Sequence, residues 1–280
     1  MRIDLHTHSR VSDGTDAPAT LMRDAAAAGL DVVALTDHDT TAGWAEAADA
    51  VPATGVALVR GTEISARAGR MSVHLLSYLH DPDDPALVAQ LLASRGSRDT
   101  RAQDMVTRLA VDYELTWADV QAQAQPGTTI GRPHIADALV AKGYLTDRSA
   151  AFERVLSPAG PYYVRYHAPD AVAAVGLVRG AGGVPVFAHP RAVLRGRVVG
   201  DDVIREMAGA GLAGLEVHHR DHAPAAVAEL LALADELGLF VTGSSDYHGA
   251  GKPNRLGEHT TDPQVLARIE EQGRMPVVRP

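Results

Sequence analysis

Short apolar runs alternate with alanine-rich helical stretches along most of this chain, and that alternation narrows its possible folds more than any other feature. Candidate strands are Arg2–His6, Asp31–Thr36, Val56–Gly61, Val73–Leu79, Val184–Ala188, Ala213–Val217 and Leu239–Thr242. Helical patterns lie between them, such as Pro18–Ala28 stopped by Gly29 and Ala223–Leu237 stopped by Gly238. This order predicts an α/β fold with a parallel sheet or barrel. From about Asp83 to Tyr163 the alternation stops, and only helical patterns remain. PALVAQLLASRGSRDTRAQDMVTRLA reads as one long amphipathic helix or two, and GRPHIADALVAKG as another that ends at a glycine. The expected organisation is a barrel from residues 1–82 and 164–280, with residues 83–163 a helical insertion.

The 280 residues suffice for one large domain with its own core. The formal net charge is -9, and no run of Lys and Arg occurs. An extended nucleic-acid footprint needs a basic face, so none is expected. A small phosphorylated ligand remains compatible with an acidic chain, because bound cations can reverse the sign locally. There is no cysteine, which excludes disulfides, thiol nucleophiles and thiolate metal sites. The opening MRIDLHTH is not signal-like, and no apolar run approaches ~18 residues. A cytoplasmic location without a membrane partner is the expectation; nothing in the sequence fixes an oligomeric state.

The chemistry concentrates at strand ends. His6 and His8 are two residues apart on the first strand, so both can point the same way and grip one ion. Alone, such a pair is more often one core and one exposed histidine. Here it is followed by Asp13 in SRVSDGT, His38 in TDHD, Glu63 in GTE, His74 in MSVHLLSY, His189 in VFAHP, and Asp246 and His248 in GSSDYH. All but His74 fall at or just past the carboxyl end of a candidate strand, the face where α/β barrels gather catalytic groups. Nine O and N donors converging there would be a costly charge cluster without metal. Two or three divalent ions would neutralise it and make it useful.

DLHTHSRVSDGT, TDHD, GTEIS, AHP and GSSDYHG together resemble, in order and spacing, the PHP family, named for its polymerase-associated and histidinol phosphatase members. The resemblance spans nearly the whole chain and implies a distorted seven-stranded (β/α) barrel. It also implies a ligand set. His6, His8, Glu63 and Asp246 would hold one metal; Glu63, His74 and His189 a second; Asp13, His38 and His248 a third. Manganese is the first expectation, with iron or zinc as alternatives. Gly131-Arg132-Pro133-His134 resembles a segment of the nucleoside 3′,5′-bisphosphate phosphatase branch, which includes RNase AM-type exoribonucleases. That implies an insertion overhanging the metals, with Arg132 and His134 on a substrate phosphate; from the residues alone they could equally be polar groups at a helix start.

The implied activity is hydrolysis of a phosphate monoester by a hydroxide held between two metals. The implied partner is a small phosphorylated substrate, a nucleotide: a nucleoside 3′,5′-bisphosphate such as pAp losing its 3′-phosphate, or short 5′-phosphorylated RNA. Histidinol phosphate and cyclic phosphates are alternatives within the class, and a metal-binding accessory module without turnover is the alternative outside it. Other polar residues stay open. His218 or His222 could assist the leaving group, whereas His219 is expected in a solvated loop. Tyr162 and Tyr163 could stack on a base or simply pack. Lys252, Asn254 and Arg255 could reach a phosphate or shape a loop. Asp37 and Asp39 are expected to orient His38 or cap the next helix. His80, His167 and His259 carry no expected role.

Overall fold

Among the described residues, seven strands lie side by side in the order in which the chain makes them. They are β1 (Ile3–Asp4), β2 (Val32–Leu35), β3 (Ala57–Ala68), β4 (Met71–Tyr78), β5 (Val184–Phe187), β6 (Gly214–His218) and β7 (Phe240–Gly243). This computed structural model describes every residue except 125–127, 129, 158, 166–167 and 194–195. His167 therefore lies outside the described residues. The helices are α1 (Pro18–Ala27), α2 (Trp44–Thr54), α3 (Pro85–Leu109), α4 (Trp117–Gln121), α5 (Arg132–Ala141), α6 (Arg148–Arg154), α7 (Ala171–Gly180), α8 (Asp201–Gly209), α9 (Pro224–Leu237) and α10 (Pro263–Gln272).

The sheet is parallel except at β4, which runs antiparallel to both β3 and β5. A parallel bridge between Thr7 and Tyr247, with the His8 amide donating to the Tyr247 carbonyl at 2.8 Å, draws the two edges together. The result is a nearly closed barrel distorted by one reversed strand. β3 is longer than its apolar run suggests. Beyond Gly61, Ile64, Ala66 and Ala68 enter the core, while Glu63, Ser65 and Arg67 take the other face, so the period of two continues through polar residues. Reversing β4 has a functional consequence. His74, early in β4 and opposite Ser65, lies at the same barrel mouth as the carboxyl ends of the parallel strands.

Alternation divides each strand between two cores. In β2, Val33 and Leu35 pack with Leu21, Met22, Trp44 and Val51 of α1 and α2, whereas Val32 and Ala34 join Ile3, Leu5, Leu76, Tyr78 and Phe240. Each buried Leu or Val side chain contributes roughly 1.5–3 kcal/mol. A third cluster, beneath α7, α8 and α9, covers the far side of β3, β5 and β6. The helix over 85–109 is a single element, capped by Asp84, whose side chain accepts from the Leu87 amide at 2.9 Å. Helices α3 to α6 enclose an apolar cluster of their own, including Met105, Leu109, Val120, Ile135, Leu139 and Leu156. Among the described residues no helix is long and apolar enough to cross a membrane.

Candidate metal centre

Glu63 stands at the middle of the barrel mouth, 1% exposed, and each of its oxygens meets imidazole nitrogens. Oε2 lies 3.3 Å from His6 Nε2, 3.1 Å from His8 Nε2 and 3.2 Å from His38 Nδ1. Oε1 lies 2.7 Å from His74 Nδ1 and 3.1 Å from His189 Nε2. Asp246 Oδ1 completes one side, 3.4 Å from His6 Nε2 and 3.3 Å from His8 Nε2. The other side belongs to Asp13, with Oδ1 3.3 Å from His248 Nε2 and Oδ2 3.8 Å from His38 Nε2.

Among the described residues these contacts define three overlapping groups, each able to face one ion: His6, His8, Glu63 and Asp246; His38, Glu63 and His74; and His8, Asp13, His38 and His248. His189 joins the second group through Glu63. All nine side chains singled out in the sequence meet here, with His8, His38 and Glu63 each shared between two groups.

The donor set fits cations. Atoms bound 2.0–2.2 Å from one ion stand roughly 2.9–3.5 Å apart, and the Nε2 atoms of His6 and His8 are 3.0 Å apart. His38 Nδ1 and His248 Nε2 are buried yet make no hydrogen bond, although a carboxylate oxygen is close to each. Close donors without hydrogen-bond geometry are what a shared ion would satisfy. Burial, reinforced by Lys252, pushes the His248 imidazole down to about 4. Burial likewise holds His38 well below its ordinary value. Burial of this kind favours the neutral ring, the form that offers a lone pair to a metal. Burial opposes ionisation of Asp13 and Glu63, but surrounding imidazoles hold both carboxyls well below the usual range.

The backbone bends to reach this geometry. His189 and Asp246 have φ of 30° and 53°, the left-handed side that non-glycine residues seldom occupy. Each costs about 1–3 kcal/mol, which the surrounding contacts must hold in place. Glu216 provides one such contact. Fully buried on β6, it accepts from His6 Nδ1 at 2.9 Å and from the His189 amide at 2.7 Å. Burial would raise its pKa, but His6 in contact with it holds the carboxyl down to about 2. His222 braces the same turn: Nδ1 donates to the Val217 carbonyl at 2.8 Å and Nε2 accepts from the Arg191 amide at 3.1 Å.

Several expectations need correction. His219, not His218, turns toward the cluster: it is 2% exposed, with Nε2 3.7 Å from Asp246 Oδ2. A register shift between Glu216 and His218 interrupts the alternation that would carry both to one face, and His218 is left exposed. His222 is spent on backbone groups rather than aimed at a leaving group. Asp37 accepts from the Ser9 amide and from the Ser9 and Ser12 hydroxyls at 2.7–2.8 Å, so it shapes the loop leading to Asp13 instead of orienting His38. Asp39 accepts from Ser65 and pairs with Arg98 at 3.0 Å. Lys252 reaches the centre, Nζ 3.0 Å from Asp246 Oδ2, whereas Asn254 donates to the Ser245 carbonyl and Arg255 is exposed.

Arg132 and His134 open α5. His134 is 4% exposed, Nδ1 accepts from the Gly131 amide at 3.1 Å, and its ring lies within the field of Asp13. Arg132 donates to the Leu156 carbonyl at 3.2 Å, with its guanidinium near the rings of Phe152 and Tyr163. Tyr162 donates to Asp112 at 2.6 Å and packs on the helical cluster.

Comparison with known proteins agrees with this geometry. The profile of the PHP domain matches residues 4–115. A 3′,5′-nucleoside bisphosphate phosphatase from Chromobacterium violaceum is 35% identical over 286 residues, spanning 99% of this chain and 98% of its own. A phosphoribosyl 1,2-cyclic phosphate 1,2-diphosphodiesterase from Eggerthella lenta is 33% identical, spanning 88% of this chain and 94% of its own. The crystal structure of a protein from Bifidobacterium adolescentis described as a metal-dependent phosphoesterase is 44% identical and superposes with a TM-score of 0.95, covering 97% of this chain and 96% of its own.

Proposed function

Because the chain belongs to the PHP family and is a metal-dependent phosphoesterase, we propose that it removes the 3′-phosphate of nucleoside 3′,5′-bisphosphates such as pAp, leaving the 5′-mononucleotide. The observation that carries this reading is Glu63, one carboxylate placed between two sets of imidazoles at the open end of the barrel. The assigned ligands are His6, His8, Glu63 and Asp246 for one ion, Glu63, His74 and His189 for a second, and Asp13, His38 and His248 for a third. Manganese is the metal we favour, since all-N/O ligation does not exclude it and softer thiolates are absent. When bound, such ions acidify water and offset charge on phosphoryl oxygens.

The chain's own residues set up the rest. Glu216 takes the proton-bearing Nδ1 of His6, which leaves Nε2 directed at the cluster. Lys252, partly exposed beside Asp246, offers an ammonium to a phosphoryl oxygen entering the mouth. His134 and Arg132 stand on the helical insertion, and we assign them to the phosphate that is not cleaved. His134 is the better placed, within the electrostatic field of Asp13; Arg132 is turned toward Leu156 and two rings. No side chain is needed as a covalent nucleophile. Full-length similarity to a bisphosphate phosphatase supports the substrate assignment, and similarity to a cyclic phosphodiesterase supports a second reading, a phosphoribosyl cyclic phosphate.

A substrate panel separates the readings. Purified protein reconstituted with Mn²⁺ is assayed against pAp, AMP, histidinol phosphate, a ribosyl cyclic phosphate and 5′-phosphorylated oligonucleotides. The proposal expects the highest kcat/KM on pAp with AMP as product. Preference for the cyclic ester selects the second reading, preference for the oligonucleotides selects an RNA substrate, and no turnover of any ester selects an accessory role.

A further inference from the structure

We propose that Arg148 is a positioning residue that makes assembly of the third metal group, Asp13, His38 and His248 beside His8, depend on docking of the helical insertion. The proposal rests on the three-ion reading above.

Arg148 begins α6, far in sequence from any ligand, yet its side chain is only 14% exposed. Nε and Nη2 donate to the two oxygens of Asp137 at 2.5 and 2.6 Å, a bidentate pair that fixes the guanidinium plane. The remaining arm, Nη1, donates to the main-chain carbonyl of Asp13 at 3.0 Å. Fixing that carbonyl fixes the origin of the Asp13 side chain, whose oxygens face His248 and His38.

A second loop meets the same guanidinium. A Cβ at position 251 would collide with it, so glycine is what allows the stretch after His248 to close against Arg148. The two loops also bond each other, with the Thr15 amide donating to the His248 carbonyl at 3.1 Å. Arg148 therefore sits where three segments join: the loop supplying Asp13, the loop supplying His248, and α5 through Asp137. His134 lies one turn before Asp137 on α5, so the same pair registers His134 against the metal mouth. Among the described residues, Arg148 makes no hydrogen bond to the backbone of a ligand confined to the first two groups: Glu63, His74 and His6 stand on strands or at their ends and are held by the sheet and by Glu216, and Asp246, on the same loop as His248, faces His6, His8 and Lys252.

Only the third equivalent should then respond when this contact is cut. Metal-free protein is dialysed against graded Mn²⁺ and the bound equivalents are counted by elemental analysis, for wild type, Arg148→Lys, Asp137→Asn and Gly251→Ala. Circular dichroism confirms that each variant is folded. Lysine keeps the charge but cannot hold Asp137 and the Asp13 carbonyl together. The expected result is loss of affinity for the third equivalent by about 10–100-fold, as for other groups that hold a ligand in place, with the first two unchanged. Three equivalents bound as in wild type, or an equal weakening of all three, overturns the proposal. A wild-type protein that never binds a third equivalent overturns the three-ion reading itself, a different result from the same titration.

Discussion

Glu216 and His6 are joined at 2.9 Å in a fully buried contact, carboxylate to Nδ1, at the base of the metal mouth. With the carboxyl held ionised, Nδ1 carries a hydrogen, so an ion held beside Glu63 and Asp246 would take the lone pair of Nε2, the nitrogen that faces them. The same carboxylate takes the amide of His189, whose φ is positive. One residue thus sets the tautomer of one proposed ligand and the backbone of another.

Replacing it should therefore reach the metals. Glu216→Ala is expected to weaken ion binding by about 10–100-fold. Glu216→Gln, whose carbonyl can still accept from His6, should recover part of that loss. Competition with a fluorescent chelator measures both. Unchanged affinity in the alanine variant would reduce Glu216 to packing.

Asp246→Ala should abolish turnover, since it strips a charge from the group containing His6, His8 and Glu63. His259→Ala should leave turnover near wild type, because His259 belongs to none of the three groups. Initial rates on pAp with saturating Mn²⁺ check the pair, and comparable activity in both variants would contradict the ligand assignment.

Much of this site is legible in the sequence because strand ends in an α/β barrel face one way, so HTH, TDHD, GTE, AHP and SSDYH had to converge once the alternation was recognised. The seven strands followed from the same alternation. What escaped depended on geometry that spacing does not carry. The reversal of β4 leaves no local signature, and β3 runs on through Thr62, Glu63 and Ser65, which look like a loop. The register shift beside His218 exchanges the fates of His218 and His219. Arg148 and Asp13 are 135 residues apart and meet only when the insertion docks.

His80 supplies a pH test away from the metals. It is buried, with Nδ1 2.7 Å from the Ser77 hydroxyl and Nε2 without a partner. Burial lowers its pKa from 6.5 to about 4. The unfolded chain takes up the proton first, so stability tied to His80 is whole above about pH 6.5 and is lost as pH falls toward 4. Relative to His80→Asn, which cannot titrate, wild type should lose about 2 kcal/mol between pH 7.5 and 5. Urea unfolding of the two metal-free proteins at both pH values gives the difference; parallel losses would place the acid sensitivity elsewhere.

Specificity should separate through the insertion. If Arg132 holds the uncleaved phosphate, Arg132→Ala costs about 2–4 kcal/mol in kcat/KM on pAp and much less on an aryl monophosphate. Metal content should not change. An equal loss on both substrates would place Arg132 on the reacting phosphate, and no loss on either would leave it as the partner of Leu156, Phe152 and Tyr163.

The most direct test of the account joins metal to turnover through Glu63. Wild-type protein, metal-free and reconstituted, and Glu63→Ala treated identically are each assayed for bound Mn²⁺ and for phosphate released from pAp. The account predicts two to three equivalents and turnover in reconstituted wild type and none in the metal-free form. In Glu63→Ala it predicts loss of both ions that Glu63 faces, together with loss of activity. Turnover that survives chelation, or a Glu63→Ala protein that keeps its metal and its rate, would contradict it.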